Sequence, residues 1–174
     1  MAGVPPLVAE ASRKAGLLWI SVGGRRAAPA WHVWRDDRTY VVTGPGEQPL
    51  PGLADADRCD VTVRSADSGG RIVTWRAAVS RVEPDGEEWA EVVPALVAAR
   101  LNLADAAGAP RRWAGTAAVL RLDPTGELVE AGDSLPAGSL AAPPPPSPAR
   151  SPTRLPWTLG RRRAERRASR RSRS

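Results

Sequence analysis

Two consecutive segments in the middle of the chain alternate between apolar and polar residues, and this alternation restricts the possible folds more than any other feature. The segments are residues 58–64 and 71–82, and Ser68-Gly69-Gly70 separates them. A period of two is typical of β-strands with one buried face, and glycines between two such strands indicate a hairpin turn. The inward positions are Cys59, Val61 and Val63 in the first segment and Val73, Trp75, Ala77 and Val79 in the second. The chain is therefore predicted to build its core on one face of an antiparallel sheet.

The remaining elements follow from shorter apolar runs between turn signals. Four further strands are predicted at residues 17–22, 27–34, 39–43 and 116–122, the first three forming a meander. Helices are predicted at residues 4–15 and 85–101, with one or two helical turns within 50–57. Pro94 is expected to kink or restart the later helix, because proline lacks the amide donor. The predicted fold is α+β, mainly β: a six-stranded antiparallel barrel with short flanking helices, since closure leaves no edge unpaired.

Charge and proline content divide the chain into three parts. Residues 1–149 hold 15 Lys and Arg against 18 Asp and Glu, a net charge of −3, whereas residues 150–174 hold 10 Arg against one Glu, a net charge of +9. Four consecutive prolines at 143–146 favour an extended chain that cannot build a core. The predicted organisation is a barrel domain at 1–125, a mostly disordered Pro-rich linker at 126–160 and a disordered Arg-rich tail at 161–174.

Counts of the reactive residue types exclude several classes of protein. One Cys and one His cannot supply a disulfide framework or a Cys/His zinc site, so no metal site is predicted. No segment reaches the roughly 18–20 apolar residues of a membrane-spanning helix, and the N-terminal segment lacks the apolar stretch of a signal peptide. A cytoplasmic protein without membrane contact is expected.

A string of residues in the predicted second to fourth strands carries a family resemblance. Pro29-Ala30-Trp31-His32-Val33-Trp34 precedes a two-aspartate turn, and Tyr40-Val41-Val42-Thr43-Gly44-Pro45, Leu53 and Arg58-Cys59-Asp60-Val61-Thr62-Val63 follow. In order and spacing, these resemble the pyridoxamine 5′-phosphate oxidase-like superfamily over about residues 5–123. The resemblance implies a split β-barrel, a homodimer, and FMN or the deazaflavin F420 held in clefts between two barrels.

The resemblance also implies a phosphate-binding loop directly after the third predicted strand, where family members carry Arg or Lys. Residues 43–53 of this chain contain neither, and Glu47 adds a negative charge. Thr43 and Gln48 are the side chains left to donate hydrogen bonds to a phosphate, and neutral donors form weaker bonds than charged ones. They are the predicted cofactor-binding residues of this loop.

Four other residues are predicted to contact the cofactor. Trp31 and Trp75 offer aromatic faces to a planar ring, His32 offers a titratable donor, and Arg64 offers a cation that the loop lacks. Each has a structural alternative: core packing for the tryptophans, a hydrogen bond within a strand for His32 and a solvated strand end for Arg64. Arg71, Arg76 and Arg111-Arg112-Trp113 are further candidates for anion binding. No catalytic residue is assigned, because no nucleophile and base lie at an interpretable spacing.

Three functions remain open at this point. The first is a flavin- or deazaflavin-dependent oxidoreductase of unknown substrate, in which the cofactor carries the hydride transfer. The second is a split-barrel protein that has lost its cofactor and acts as a binding or interaction module. The third is non-specific binding of nucleic acid through the Arg-rich tail.

Overall fold

The computed structural model describes residues 3–101, 103 and 105–138, so the Pro-rich run and the Arg-rich tail lie outside the described residues. Contacts divide the chain between Ala137 and Gly138, and the fold below is that of the first unit. Its helices are α1 (Pro6–Lys14), α2 (Glu87–Ala99) and α3 (Ala109–Thr116). Its strands are β1 (Leu18–Ser21), β2 (Ala28–Ala30), β3 (Val33–Arg35), β4 (Arg38–Thr43), β5 (Arg58–Arg64), β6 (Arg71–Arg81) and β7 (Ala118–Ala131). Two short 3-10 turns cover Leu53–Asp55 and Gly132–Ser134.

The seven strands of the described residues all belong to one antiparallel sheet, in the order β2-β1-β5-β6-β7-β4-β3. The two edge strands, β2 and β3, are separated in the chain by Trp31 and His32 alone. Three residue steps span at most about 11 Å, whereas the edges of a flat seven-stranded sheet would lie about 29 Å apart at the usual strand spacing. The sheet must therefore curl until its two edges meet, which produces a split barrel.

This architecture confirms the mainly β, antiparallel barrel predicted from the sequence, with two differences in the strands. The segment predicted as one strand at 27–34 forms two, β2 and β3, so the described residues form seven strands instead of six. Both pairings of the predicted meander form, but through different halves of this segment: β2 pairs with β1 at one edge of the sheet, and β3 pairs with β4 at the other. A local apolar run cannot reveal that the chain leaves one edge and joins the other.

The region around the last strand also differs from the prediction. Residues 109–116, expected to be a loop and the start of a strand, form α3, with Pro110 in its first turn, where its missing amide costs nothing. Strand β7 then continues beyond Pro124 to Ala131, into residues 126–131 that were assigned to the linker. Irregular register between β6 and β7 accommodates the proline. Helix α2 continues through Pro94 and does not restart.

The core has two layers that meet at strand β4. Val41 faces the barrel interior with Val61, Val63 and Trp75. Tyr40 and Val42 face the opposite way and pack with α2 and α3 in a second cluster. The second cluster also contains Val82, Val92, Val93, Leu96, Trp113 and Val119. Since β4 is buried on both faces, helices α2 and α3 pack against the outside of the barrel. The loop that follows β4 contacts α3 through the hydrogen bond from Trp113 to Glu47.

Candidate functional site

A cleft of about 1180 Å³ lies beside the barrel, and six chain segments line it. These are α1, the start of β1, the crossing from β2 to β3, the loop after β4, the turn between β5 and β6 and the C-terminal end of α2. Aromatic and charged side chains share its wall: Trp19, Trp31, Lys14, Arg64, Arg100, Glu10, Glu47 and Asp67. Leu7, Leu17 and Leu101 also line it and are among the exposed large apolar residues.

One wall of the cleft carries Trp19 and Arg64. Leu18 and Ile20 point into the barrel, so Trp19, between them on β1, points outward. Pairing of β1 with β5 brings Arg64 beside it, and the guanidinium carbon lies 5.4 Å from the centre of the Trp19 ring. Arg64 forms no salt bridge among the residues that the structure describes. Its guanidinium is attracted to the face of the Trp19 ring and remains available to an anion.

A second tryptophan, Trp31, also has an arginine guanidinium lying over its ring. Arg100, the residue directly after α2, lies over Trp31 with its guanidinium carbon 4.7 Å from the ring centre. The backbone of Trp31 is fixed by Gln48: the Trp31 N–H donates to Gln48 Oε1 at 2.8 Å, and Gln48 Nε2 donates to the Trp31 carbonyl at 3.0 Å. The Gln48 amide therefore positions the crossing from β2 to β3, and one of its two N–H donors is used in this contact.

Thr43 is likewise engaged within the loop that follows β4. Its hydroxyl donates to the Gln48 carbonyl at 3.0 Å and accepts from the Leu50 N–H at 3.2 Å. These two bonds shape the loop between Thr43 and Leu50. The Thr43 hydroxyl, which the sequence predicted to bind a ligand, therefore forms hydrogen bonds with backbone groups of its own loop.

Glu47 lies at the centre of a charged cluster where the sequence suggested an isolated negative charge. Its side chain is 2% exposed and forms a salt bridge with Arg100 and another with Arg112, the latter at 4.0 Å. The Trp113 indole N–H donates to Glu47 Oε1 at 2.8 Å. Burial, and then the neighbouring Arg112 guanidinium, lower the pKa of Arg100. The loop thus carries no cation of its own, but two cations reach it from helices α2 and α3.

Three predicted site residues, Thr43, His32 and Trp75, do not line the cleft. His32 Nε2–H donates to the Ser12 carbonyl at 2.9 Å, and burial lowers the pKa of His32, so the ring is neutral and joins the strand crossing to α1. Trp75 is 1% exposed in the barrel core and meets Trp34 edge-to-face, with ring centres 6.5 Å apart. Of the six predicted residues, Trp31, Gln48 and Arg64 line the cleft.

Trp19 and Arg100 complete the cleft and were not predicted from the sequence. The alternation Leu18, Trp19, Ile20 does indicate that Trp19 faces away from the core. No local signal identifies Arg100, because its role depends on how α2 packs against the loop after β4. Three of the other arginines suggested for anion binding pair with carboxylates: Arg76 with Asp60 and Glu127, Arg71 with Glu130, and Arg112 with Glu47 and Asp105.

Two further features are absent from the part of the chain that the structure describes. No group of three or more His, Cys, Asp and Glu side chains there is placed to hold a metal ion. None of the helices found there has the length and apolarity needed to span a bilayer.

Comparison with known proteins identifies the fold. The crystal structure of HutZ, the heme storage protein from Vibrio cholerae, superposes with a TM-score of 0.51 at 18% sequence identity, covering 73% of this chain and 94% of that chain. An F420 reductase gives a TM-score of 0.48 at 15% identity, with 70% and 96% covered. The flavocytochrome Anf3 from Azotobacter vinelandii gives 0.44 at 16% identity, with 88% and 86% covered. No family model and no curated protein matches the sequence.

The likeness to HutZ agrees with the curled antiparallel sheet in assigning the fold. The protein therefore has a split-barrel fold, which is the fold that its sequence motifs predicted.

Proposed function

We propose that the cleft binds a planar aromatic ligand with an anionic group, FMN or F420, and that the protein is a flavin- or deazaflavin-dependent oxidoreductase. The observation that carries this proposal is the pairing of aromatic faces with cations in one cleft, Trp19 with Arg64 and Trp31 with Arg100. Tryptophan faces stack on planar rings, and a guanidinium binds phosphate or carboxylate oxygens. The substrate is left open.

The residues of the cleft fit such a ligand at one end better than at the other. A volume of about 1180 Å³ is more than sufficient for a small-molecule ligand. Of the cations that line the cleft, Arg64 is the one without an acidic partner among the described residues, so we place the anionic group there. The loop of residues 43–53 fits a phosphate poorly, because its two candidate donors and its two neighbouring cations are already engaged.

The chain's own residues would bind and orient the ligand. Hydride transfer is the chemistry that a bound flavin or deazaflavin supplies. Trp19 and Trp31 would hold the ring by stacking, and Arg64 would fix the anionic end. The rim formed by Leu7, Leu17 and Leu101 would limit water entry once covered.

A flavin suits the cleft better than haem, which the name of HutZ raises as an alternative. Haem iron in proteins is held by His, Cys, Met or Tyr. None of the described side chains lining this cleft is of these types, and the single histidine is bonded to the Ser12 carbonyl. Added hemin is therefore expected to bind more weakly than added flavin.

We further propose a homodimer in which a second copy covers the leucine rim. Of the five exposed large apolar residues in the described part of the chain, three lie at this cleft: Leu7, Leu17 and Leu101. Exposed apolar residues gathered at one place favour association. A symmetric pair would bury the same rim on both copies.

The cytoplasm is the proposed location, and the lone cysteine is in keeping with it. Cys59 is buried and free. Burial, and then the neighbouring Asp60, raise the pKa of its thiol to about 12. The thiol thus stays protonated at neutral pH, which excludes it as a nucleophile.

A second candidate function is a barrel that binds no cofactor and acts as an interaction module. The specific observation in its favour is that both cations beside the loop after β4 already form salt bridges with Glu47. The polyanion-binding alternative concerns residues beyond the described part and is tested separately.

Absorbance of the purified protein and titration with added FMN, riboflavin and F420 test the first proposal. We expect FMN to bind about tenfold more tightly than riboflavin, because a charged hydrogen bond contributes about 1.5 kcal/mol. Arg64→Gln should abolish this preference. Arg58→Gln is the matched control, since Arg58 lies on the same outer face of β5 at its opposite end, and should retain it. A colourless protein that binds none of the three ligands would support the cofactor-free alternative.

A further inference from the structure

Three donors from two helices converge on a single carboxylate inside the cleft wall. Arg100 at the end of α2 and Arg112 on α3 both form salt bridges with Glu47, and the Trp113 indole N–H donates to Glu47 Oε1 at 2.8 Å. The Glu47 side chain is 2% exposed and that of Arg100 is 20% exposed. Two cations and a neutral N–H directed at one position are the chemistry that binds a phosphate-like oxyanion.

We infer that Arg100, Arg112 and Trp113 form an oxyanion-binding site, which the chain fills with its own Glu47 carboxylate. The loop presents Glu47 inward through a tight turn, in which the Glu47 N–H donates to the Gly44 carbonyl at 3.0 Å. Gly44 and Gly46, the first and third residues of that turn, have positive φ angles of 144° and 77°. Glycine adopts these angles without strain, so the backbone can direct the carboxylate between the two helices.

The charge balance explains why the site needs an anion. Burial, and then the nearby Arg112 guanidinium, lower the pKa of Arg100. Arg112 has Asp105 as a second acidic partner at 3.7 Å. Arg100 has no other acidic partner among the described residues. Without Glu47, a partly buried guanidinium would face another cation, and an anion from solution would take the empty place.

This assignment gives Glu47 a role in selectivity. Arg100 and Glu47 both line the cleft, and together they carry no net charge. A ligand's anionic group is therefore excluded from this end and directed to Arg64. This last consequence rests on the proposed function, whereas the oxyanion site itself does not.

Inorganic phosphate is the probe that tests the site, with no flavin present. Glu47→Ala removes the carboxylate and leaves its place between Arg100, Arg112 and Trp113 empty. Because phosphate can then bind there, we expect it to raise the melting temperature of this variant by about 4 °C at ten times its dissociation constant. Sodium chloride at equal ionic strength corrects for general salt effects. Wild-type protein should show a clearly smaller phosphate-specific rise, because Glu47 occupies this site and Arg64 alone is open to the anion in the cleft.

Glu10→Ala is the matched control. Glu10 also forms salt bridges with two cations, Arg13 and Lys14, but its side chain is 48% exposed. Its removal should create no phosphate-specific stabilisation. Glu47→Ser provides a second opening of the site, with a short polar side chain in place of the alanine methyl group.

The outcomes separate the inference from the proposed function. A phosphate-specific rise in either Glu47 variant, or folding that requires phosphate, supports the site whether or not any flavin binds. The inference is overturned if both variants respond to phosphate no more than wild type, or remain unfolded at every phosphate concentration.

Discussion

His32 lies in the two-residue crossing that carries the chain from one edge of the sheet to the other. Its Nε2–H donates to the Ser12 carbonyl, which ties this crossing to helix α1. Burial lowers the pKa of His32 in the folded protein below the ordinary value of 6.5. Protonation would place a charge in a partly buried position beside a strand edge, so the ring contributes to stability in its neutral form.

We predict that the protein loses stability as the pH falls below about 6.5, before its carboxylates titrate. Between the unfolded and the folded pKa of His32, the unfolded chain binds more protons, so the free energy of unfolding falls with falling pH. The limiting slope is about 1.4 kcal/mol per pH unit. His32→Gln keeps a donor for Ser12 and should flatten the dependence between pH 7 and 5.5. Urea denaturation at several pH values measures this, and equal slopes for the two proteins would contradict it.

At the scale of elements, the end of β4 approaches the start of β7 so closely that residue 44 must be glycine. Gly44 has φ of 144°, and a Cβ there would lie 2.8 Å from the Ala117 Cα. Gly46, two residues on, also has a positive φ, but a Cβ added there would meet nothing within 4 Å. Both glycines have a backbone conformation that other residues rarely adopt, but only Gly44 also lacks room for a side chain.

We predict that Gly44→Ala destabilises the protein by about 3 kcal/mol, since strain and a backbone clash add. Gly46→Ala should cost about 1 kcal/mol, the penalty of a left-handed residue alone. The midpoint of urea denaturation compares the two variants. Equal losses would mean that the approach of β4 to Ala117 is not close in solution.

The sequence predicted which segments form strands and helices more completely than it predicted which of these elements contact one another. The alternation in β5 and β6 reports burial locally, so the inward side chains of Cys59, Val61, Val63 and Trp75 were predicted and are buried. The contact of Trp31 with Arg100 joins residues far apart in the chain, and no local period encodes it. The same holds for Glu47, whose negative charge was recognised while its partners on α2 and α3 were not.

At the scale of the whole molecule, the leucine rim predicts the assembly state. Leu7→Asp should shift a dimer to a monomer, because it places a charge in the proposed interface. Leu128→Asp is the control, since Leu128 on β7 has the same exposed fraction of 43% but does not line the cleft. Sedimentation at micromolar concentration measures both. A monomeric wild-type protein, or equal dissociation by the two variants, would contradict a dimer through this rim.

The last prediction concerns residues 139–174, which follow the part of the chain that the structure describes. These residues hold 10 Arg and one Glu, so truncation after Gly138 removes nine net positive charges and changes the formal charge from +6 to −3. The sheet ends at Ala131 in β7. Truncation should therefore leave melting temperature, assembly state and any flavin binding unchanged.

If the removed residues bind polyanions, the full chain should bind a DNA oligonucleotide at low salt and the truncated chain should not. Affinity of the full chain should fall about tenfold or more between 50 and 200 mM salt, because binding releases counterions from the phosphates. Loss of folding on truncation would show that the fold needs residues beyond 138. Equal DNA binding by both chains would place that activity on the barrel, where Arg64 and Lys14 at the cleft would be the first residues to substitute.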